Sequence, residues 1–577
     1  MEGFFNRVLH VDLEGRRSWK EEIPDAVFQE FLGGKGLATY LLLRDLKPGL
    51  DPLSPDNILI FATGPLTDTL VFGSSRYGVF TKSPLTGLYL ESYAGGDVAE
   101  FISRTGYDAI VLHGASRKPI FLEISDREIK FHDASHIWGM ETYTAEDAIR
   151  QELAFAKVGV AVIGPAGENL VRFALIENNY WRSIGRGGAG AVLGSKKVKG
   201  IAFHGTQKRE VAHPDILMDF WKEIGKKGPQ TATAIAYKKF GTPMVVQATN
   251  SVGAFPTQYW AKGTFEKWKQ ISADALLEQC EVKAHACPKC FMACGKISKV
   301  KEGRHAGLTI EGPEYETIDA LGGICLVDDI REIIYLNDFC DRLGIDTITA
   351  GNLAGFTIEA SRRKDIGYKL EYGDVDGIAQ LFYMMARREG IGAILAEGVK
   401  HAAKAWNLEE LAVHVKGMDP PGYEPRVLKG MALAYATSDR GACHLRSTFY
   451  KAELSGAIPP EQVEGKARTF IDWEDRLTIQ DCLILCRFFR DLYLWDEYAI
   501  LIKGCTGMEL SRQEIQALAG RVLNLAREFN LREGMRVAED TLPPRLLLEK
   551  LLDSGKGITS EELSLMLEEY YSLRGWC

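Results

Sequence analysis

The sequence holds no run of roughly 18 consecutive apolar residues, the least that a helix needs to cross a bilayer. Its first residues, Met1-Glu2-Gly3-Phe4-Phe5-Asn6-Arg7, lack the basic segment and apolar core of a secretory signal. Basic residues are in deficit as well: 69 Lys and Arg stand against 78 Asp and Glu, a net charge of −9. That balance argues against nucleic acid or an anionic membrane as the main partner. Cysteine is sparse and odd in number, 11 in 577 residues. Without a leader, this speaks against a disulfide framework and for thiols as metal ligands in a reducing compartment. The expectation is a cytoplasmic protein with no membrane insertion. Repeats and low-complexity linkers are missing too, so the domains should pack directly on one another.

Glycine is what the chain has in excess: 58 residues, above the usual share of ~7%. The length suits roughly three domains. Residues 1–208 are rich in short strands. Arg7–Leu13 alternates before the turn Glu14-Gly15, and Pro119–Ile124 with Glu128–Phe131 flank Ser125-Asp126 as a hairpin. The clusters Gly33-Gly34-Lys35-Gly36, Gly95-Gly96 and Gly185–Gly190 would let backbone amides approach phosphates or a heterocycle; tight turns explain them equally well. Beyond residue 209 the pattern turns helical. Its clearest stretch is Ile515, Leu518, Val522, Leu525, Phe529, opened by a capping box of Ser511 and Glu514. The Pro- and Gly-rich segment Gly417–Gly422 places a second boundary near 415, giving helical domains 209–415 and 416–577.

The chemistry concentrates in Cys287, Cys290 and Cys294, a C-x2-C-x3-C pattern. Close thiolates at short unequal spacing suit an iron–sulfur cluster, which takes a fourth cysteine. Cys486 is the best candidate and Cys482 its rival, while Cys280 is too close and misplaced. A structural zinc remains the alternative, although only His285 is at hand to complete it. Cys325, Cys340, Cys443, Cys505 and Cys577 read as buried or terminal thiols without a role. Alone, His444 reads as a structural histidine and Glu314 with Glu316 as a solvated pair.

Taken together with Glu311–Thr317, Asp341–Thr347 and Asp481–Cys486, those cysteines resemble the tungsten-containing aldehyde:ferredoxin oxidoreductase family. Similar segments occur in family order along nearly the whole chain: Asp51–Pro55, Gly64–Thr67, Thr81–Gly87, Asp133–Gly139, Gly164–Asn169 and Leu573–Trp576. The resemblance implies an α+β fold, in which an N-terminal domain of two β-sheets forms a base for a bis-pterin cofactor and two mainly helical domains close over it. It implies tungsten, with molybdenum not distinguished, held by two pyranopterins beside one [4Fe–4S] cluster, and a Mg2+ bridging the pterin phosphates. Cys287, Cys290, Cys294 and Cys486 would ligate the cluster, and Arg76 would bridge it to a pterin. The two pterin clasps would be Asp341 with Ile345, Asp346 and Thr347, and Asp481 with Leu485 and Arg487, with Arg446 among the cofactor contacts. In the second clasp Ile484 stands where the family has glycine. Tyr93 and Ser183 would offer backbone carbonyls to the magnesium, beside Arg182, Gly185, Gly187 and Gly188. Glu316 and His444 match the presumed catalytic pair, as base and as hydrogen-bond donor.

One departure concerns assembly. Family members that dimerise through a shared metal carry Glu-x-x-His in the helix before Asp341, where this chain has Tyr335 and Asp338. No intersubunit iron is expected, and an oligomer stays open. The activity implied is oxidation of small aldehydes with water, electrons passing to ferredoxin or a ferredoxin-like iron–sulfur subunit. The alternatives are a same-family reductase acting on an aromatic acyl-CoA and, from another class, a non-catalytic iron–sulfur electron-transfer protein.

Overall fold

The fold is that of a computed structural model describing residues 1–576; Cys577 lies outside the described residues. The first sheet comprises β1 (Arg7–Asp12), β2 (Arg17–Glu22), β3 (Leu59–Ala62), β4 (Tyr77–Lys82), β5 (Tyr89–Ala94) and β6 (Ala109–His113), in the order β2-β1-β6-β3-β4-β5. The second comprises β7 (Ile120–Ile124), β8 (Ile129–Asp133), β9 (Gly159–Val162), β10 (Ile176–Asn178), β11 (Arg182–Ile184) and β12 (Val198–Phe203), in the order β11-β10-β9-β12-β7-β8. The expected hairpin is β7 and β8, with Ile124 opposite Ile129.

Period-2 alternation explains how the first sheet, apart from its exposed edge strand β2, is buried on both faces. Leu9, Leu59, Phe61 and Ile110 meet Ile120, Leu122, Ile201 and Phe203 of the second sheet in one cluster. Their alternate neighbours Val8, Ile60 and Val111 meet the helices Gly34–Asp45 and Arg512–Arg532 in another. The latter is the helix read from Ile515–Phe529. Ser511 Oγ accepts from Glu514 N at 3.3 Å, and Ser511 N donates to the Glu514 carboxylate at 2.7 Å, so the capping box closes. Among the described residues no helix is long and apolar enough to cross a membrane.

The remaining chain is helical, with one addition that periodicity did not announce. β13 (Cys280–His285), β14 (Gly295–Val300) and β15 (Thr309–Glu311) form a three-stranded antiparallel sheet. Its alternation is short: Cys280, Val282 and Ala284 oppose Glu281, Lys283 and His285 in β13, but β14 buries Lys296 and Ser298, so no apolar stripe runs through the sheet. Its role is positional: His285 pairs with Gly295, and the pairing closes the loop that carries the three cysteines.

Glycines seat the N-terminal domain on both Asp-containing turns. A Cβ at Gly64 would stand 2.1 Å from the Leu483 carbonyl, and one at Gly164 would stand 2.5 Å from that of Leu343, so neither position admits a side chain. The two turns share a left-handed residue at the same place, Gly344 at φ 79° and Ile484 at φ 51°. Isoleucine at the expected glycine therefore keeps the backbone course of the turn and carries the strain of a β-branched residue there.

Candidate active site

Cys287, Cys290, Cys294 and Cys486 line one cavity of about 200 Å³, together with Arg76, Gly95, Arg182 and Ser183. Three thiols come from the β13–β14 loop. The fourth arrives after helix Lys466–Cys482, where Cys486 N donates to the Gly73 carbonyl at 2.9 Å. Gly96 N reaches Cys287 Sγ at 3.4 Å. Cys482, the rival fourth ligand, is fully buried in the hydrophobic cluster of helix Gly34–Asp45 and lines no part of this cavity. Among the described residues no three Cys, His, Asp or Glu side chains converge as they would on a single ion, so the thiols surround a volume. That disfavours tetrahedral zinc, which draws its ligands to one point. Burial, reinforced by the neighbouring thiols, pushes Cys290 up to about 12; burial also raises Cys294 far above the ordinary thiol range. Thiolates here need positive partners. Arg76 Nη1 stands 3.8 Å from Cys486 Sγ, and Nη2 donates to the Tyr93 carbonyl at 3.1 Å.

Behind Arg76 opens an inner cavity of about 300 Å³, lined by Tyr93, Ser183, Gly185, Asp346, Thr347, Arg446, Asp481, Leu485 and Arg487 among others. Its charges are arranged in buried pairs. Arg446 binds Glu91 at 2.5 Å and Asp481 at 2.6 Å, Arg487 binds Asp481 at 2.5 Å, and Arg186 Nε binds Asp346 at 3.0 Å. Arg186 also donates to the Asp419 carbonyl at 2.7 Å. Arg186 and Arg440 were missed as site residues; the first is hidden in a glycine run, its only signal being a lone cation there.

Several expected contacts lie elsewhere. Asp341 stands outside this cavity: its carboxylate accepts from Asn337 Nδ2 at 2.7 Å, and burial beside Asp338 drives it toward the protonated form. Ile345 is buried and pairs backbone to backbone with Ala174. A Cβ at Gly187 or Gly188 would meet Leu90 or the Arg172 carbonyl, and one at Gly34 the carbonyls of Asp481 and Cys482, so none of the three positions admits a side chain. Arg182 belongs to the thiol cavity, where it is paired with Glu311.

Glu316 and His444 stand at the junction of the inner cavity and an outer one of about 640 Å³. Glu316 lies on the short helix Tyr315–Ile318 that follows β15; its Oε2 accepts from Gly422 N at 2.8 Å. Its Oε1 is 3.4 Å from His444 Nε2, too poorly aligned for a hydrogen bond. His444 Nδ1 is buried without a partner. Neither residue is solvated, contrary to the expectation for Glu316 read alone. Burial lifts the Glu316 carboxyl to about 8 and drives His444 well below the usual imidazole range, the cations Arg186, Arg440 and Arg446 adding to the second effect. The outer cavity is walled by Tyr237, Tyr423, Tyr450 and Phe488, with Tyr423 and Tyr450 stacked at 3.9 Å.

In the helix Ile330–Leu343, Asp338 is bound to Arg342 at 2.8 Å and Tyr335 stacks on His305 at 4.3 Å. Both side chains at the Glu-x-x-His positions are thus engaged within the chain.

The model of the aldehyde ferredoxin oxidoreductase N-terminal domain matches residues 8–205, and that of domains 2 and 3 matches residues 219–577. A tungsten-containing aldehyde ferredoxin oxidoreductase of Pyrococcus furiosus is 35% identical over 100% of this chain and 97% of its own length. An aliphatic sulfonate oxidoreductase, WOR-like subunit, of the same organism is 27% identical over 100% and 95%. The fold is shared with the active-site complex BamBC of benzoyl coenzyme A reductase, with a TM-score of 0.85 at 23% identity over 100% of this chain and 95% of that one. The non-catalytic alternative falls with these matches, and the chain belongs to the aldehyde ferredoxin oxidoreductase family of oxidoreductase enzymes.

Proposed function

We propose that the protein oxidises small aldehydes to carboxylic acids with water as the oxygen donor and passes the electrons to ferredoxin or a ferredoxin-like iron–sulfur subunit. The observation that carries this is the Glu316–His444 pair, 3.4 Å apart where the inner polar cavity opens into the outer aromatic one.

The residues fit the groups that the family implies. Orphaned buried polar atoms such as Arg446 Nε and Arg487 Nε, on walls rich in guanidinium, suit the phosphates of a tungsten bis-pyranopterin. Asp346, Thr347, Asp481, Leu485, Arg446 and Arg487 would hold it, with Ser183 and Gly185 at its phosphate end. The carbonyls of Tyr93 and Ser183 would serve Mg2+, the Tyr93 oxygen keeping a lone pair beyond its bond to Arg76. The four-thiol cavity suits a [4Fe–4S] cluster. When bound, the pterin-held metal supplies a two-electron oxidation, and the cluster an exit for single electrons. Arg76 lines all three cavities and would lie between those two centres.

The chain's own part is acid–base work. The Glu316 carboxylate takes a proton from the water that adds to the carbonyl carbon, and His444, held neutral, donates Nε2–H to the carbonyl oxygen as charge gathers there. The stacked tyrosines exclude bulk water from the approach. Anaerobic reduction of a viologen dye by the loaded enzyme, assayed over a panel of aldehydes, tests the proposal. Turnover with none of them would sink it, and the aromatic walls would then favour ring reduction of an acyl-CoA as the second reading.

A further inference from the structure

Arg490 is a buried cation without an anion. It is 2% exposed and lines the outer cavity with Tyr237, Tyr423, Tyr450 and Phe488. Its side chain makes one hydrogen bond among the described residues, from Nη1 to the Arg487 carbonyl at 2.9 Å, and its Nε has no partner. Nearby carboxylates are committed elsewhere: Asp491 to Lys451, Asp481 to Arg446 and Arg487, and Asp472 to Arg512. The other arginine of that cavity, Arg76, faces the Cys486 thiol and the Tyr93 carbonyl. The side chains that act most strongly on the Arg490 charge are the phenols of Tyr450 and Tyr237, the latter within hydrogen-bonding reach, and no carboxylate is among them.

A desolvated charge left uncompensated opposes folding unless something supplies the opposite charge, and here the open side is the cavity. A guanidinium there offers a planar pair of donors that matches a carboxylate or phosphate. The Tyr423–Tyr450 stack, 3.9 Å between centroids, gives the same cavity a flat apolar wall that Arg490, Glu316 and His444 share.

Building on the aldehyde-oxidising reading, we propose that the outer cavity selects aldehydes that carry an anionic group, with Arg490 holding that group while the formyl carbon points to Glu316 and His444. Arg490 is a specificity residue in this arrangement and touches no reacting atom.

The test uses the loaded enzyme and two probes of one shape, 4-formylbenzoate and its uncharged amide. The carboxylate is expected to show kcat/KM higher by on the order of 10- to 100-fold, the size of a charge-assisted hydrogen-bonded contact, and the difference should lie in KM. Arg490→Gln should bring the two probes to within about threefold of each other, and Arg490→Lys should restore part of the preference. 4-Formylphenyl phosphate in the same assay distinguishes phosphate from carboxylate as the preferred anion. Binding of unreactive 4-carbamoylbenzoate, read by titration calorimetry, should weaken at least tenfold in Arg490→Gln. A melting temperature in that variant at or above the wild type's guards against misfolding, since the change removes an uncompensated buried charge. Equal use of both probes by the wild-type enzyme, or a preference that survives in Arg490→Gln, would overturn the proposal. If no aldehyde turns over but 4-carbamoylbenzoate binding still depends on Arg490, the aldehyde reading fails and the anion site stands.

Discussion

Glu316 Oε1 and His444 Nε2 face each other at 3.4 Å, and the protein holds both groups away from the charge they carry in water. Burial raises the carboxyl to about 8 and depresses the imidazole, so near neutrality a carboxylic acid confronts a neutral ring. An acid and a base with their ranges pushed apart in one cavity is the arrangement that proton-transfer chemistry needs.

If Glu316 is the base, kcat/KM should rise with pH through about 8, because only the carboxylate accepts a proton. Glu316→Gln should lower kcat by roughly 10²- to 10⁴-fold and erase that limb. Stability should move the other way. The folded carboxyl binds its proton more tightly than the unfolded one, whose value is near 4.5, so wild-type protein loses stability as pH climbs from there to about 8. Glu316→Gln escapes this loss, and its gain in melting temperature should grow across that window and then level off. A pH–rate profile and melting curves for both proteins check the two halves.

The fourth cluster ligand can be tested by substitution. Cys486→Ser should lower the iron content of anaerobically purified protein below about four per chain and alter the reduced-cluster electron paramagnetic resonance signal. Cys482→Ser should leave both unchanged and cost roughly 1–3 kcal/mol, since a hydroxyl would be buried among apolar neighbours. The reverse pattern would return the role to Cys482.

Cys287, Cys290 and Cys294 were legible because a loop ligand set is local: spacing alone fixes which thiols can share one centre. Cys486 stood with its rival Cys482 as a candidate fourth ligand, and no local spacing joins it to the three, because helix packing and not sequence distance brings it to Gly73. Strands of the first domain showed as alternation and turns, their arrangement in two sheets coming from resemblance, whereas β13 to β15 went unread, the alternation being confined to β13 while β14 buries the charged Lys296. The Asp341 motif states which residue occurs and not where its carboxylate turns, and here one oxygen turns toward Asn337. Arg490 had no signal at all. What marks it is a guanidinium without a carboxylate partner on the wall of a cavity, and that exists only once the chain has folded around it.

Arg76 should tune the cluster potential. Its guanidinium, 3.8 Å from Cys486 Sγ, would favour the more negative reduced state of a cluster held by that thiol through Coulomb attraction. Arg76→Met should shift the midpoint to more negative values by about 60 mV or more, the equivalent of tenfold in a one-electron equilibrium. Potentiometric titration of the cluster signal reads this directly. An unchanged potential with unchanged iron content would show that the arginine does not act on the cluster's charge.

The C-terminal helix Ser560–Arg574 is fastened over the inner site by a buried ionic clasp. Arg574 Nη1 binds Asp475 at 2.6 Å, its Nη2 reaches Glu474, and Tyr570 OH donates to Glu474 at 2.7 Å. Tyr570 and Trp576 then line a small cavity shared with Arg446 and Asp481, so loosening the helix should open that cavity. Arg574→Met leaves two buried carboxylates facing each other and should cost about 3–5 kcal/mol near neutral pH. The pH dependence carries a sign. Burial already raises Asp475 from 3.8 to about 6 against the pull of Arg574, so removing the arginine raises it further. Protonation relieves the repulsion, hence the loss should be smaller at pH 5 than at pH 8. Denaturant melts of both proteins at those two values measure it. A loss that is the same at both would mean that the helix is held by the packing of Leu563, Met566 and Tyr570, and that the clasp adds little.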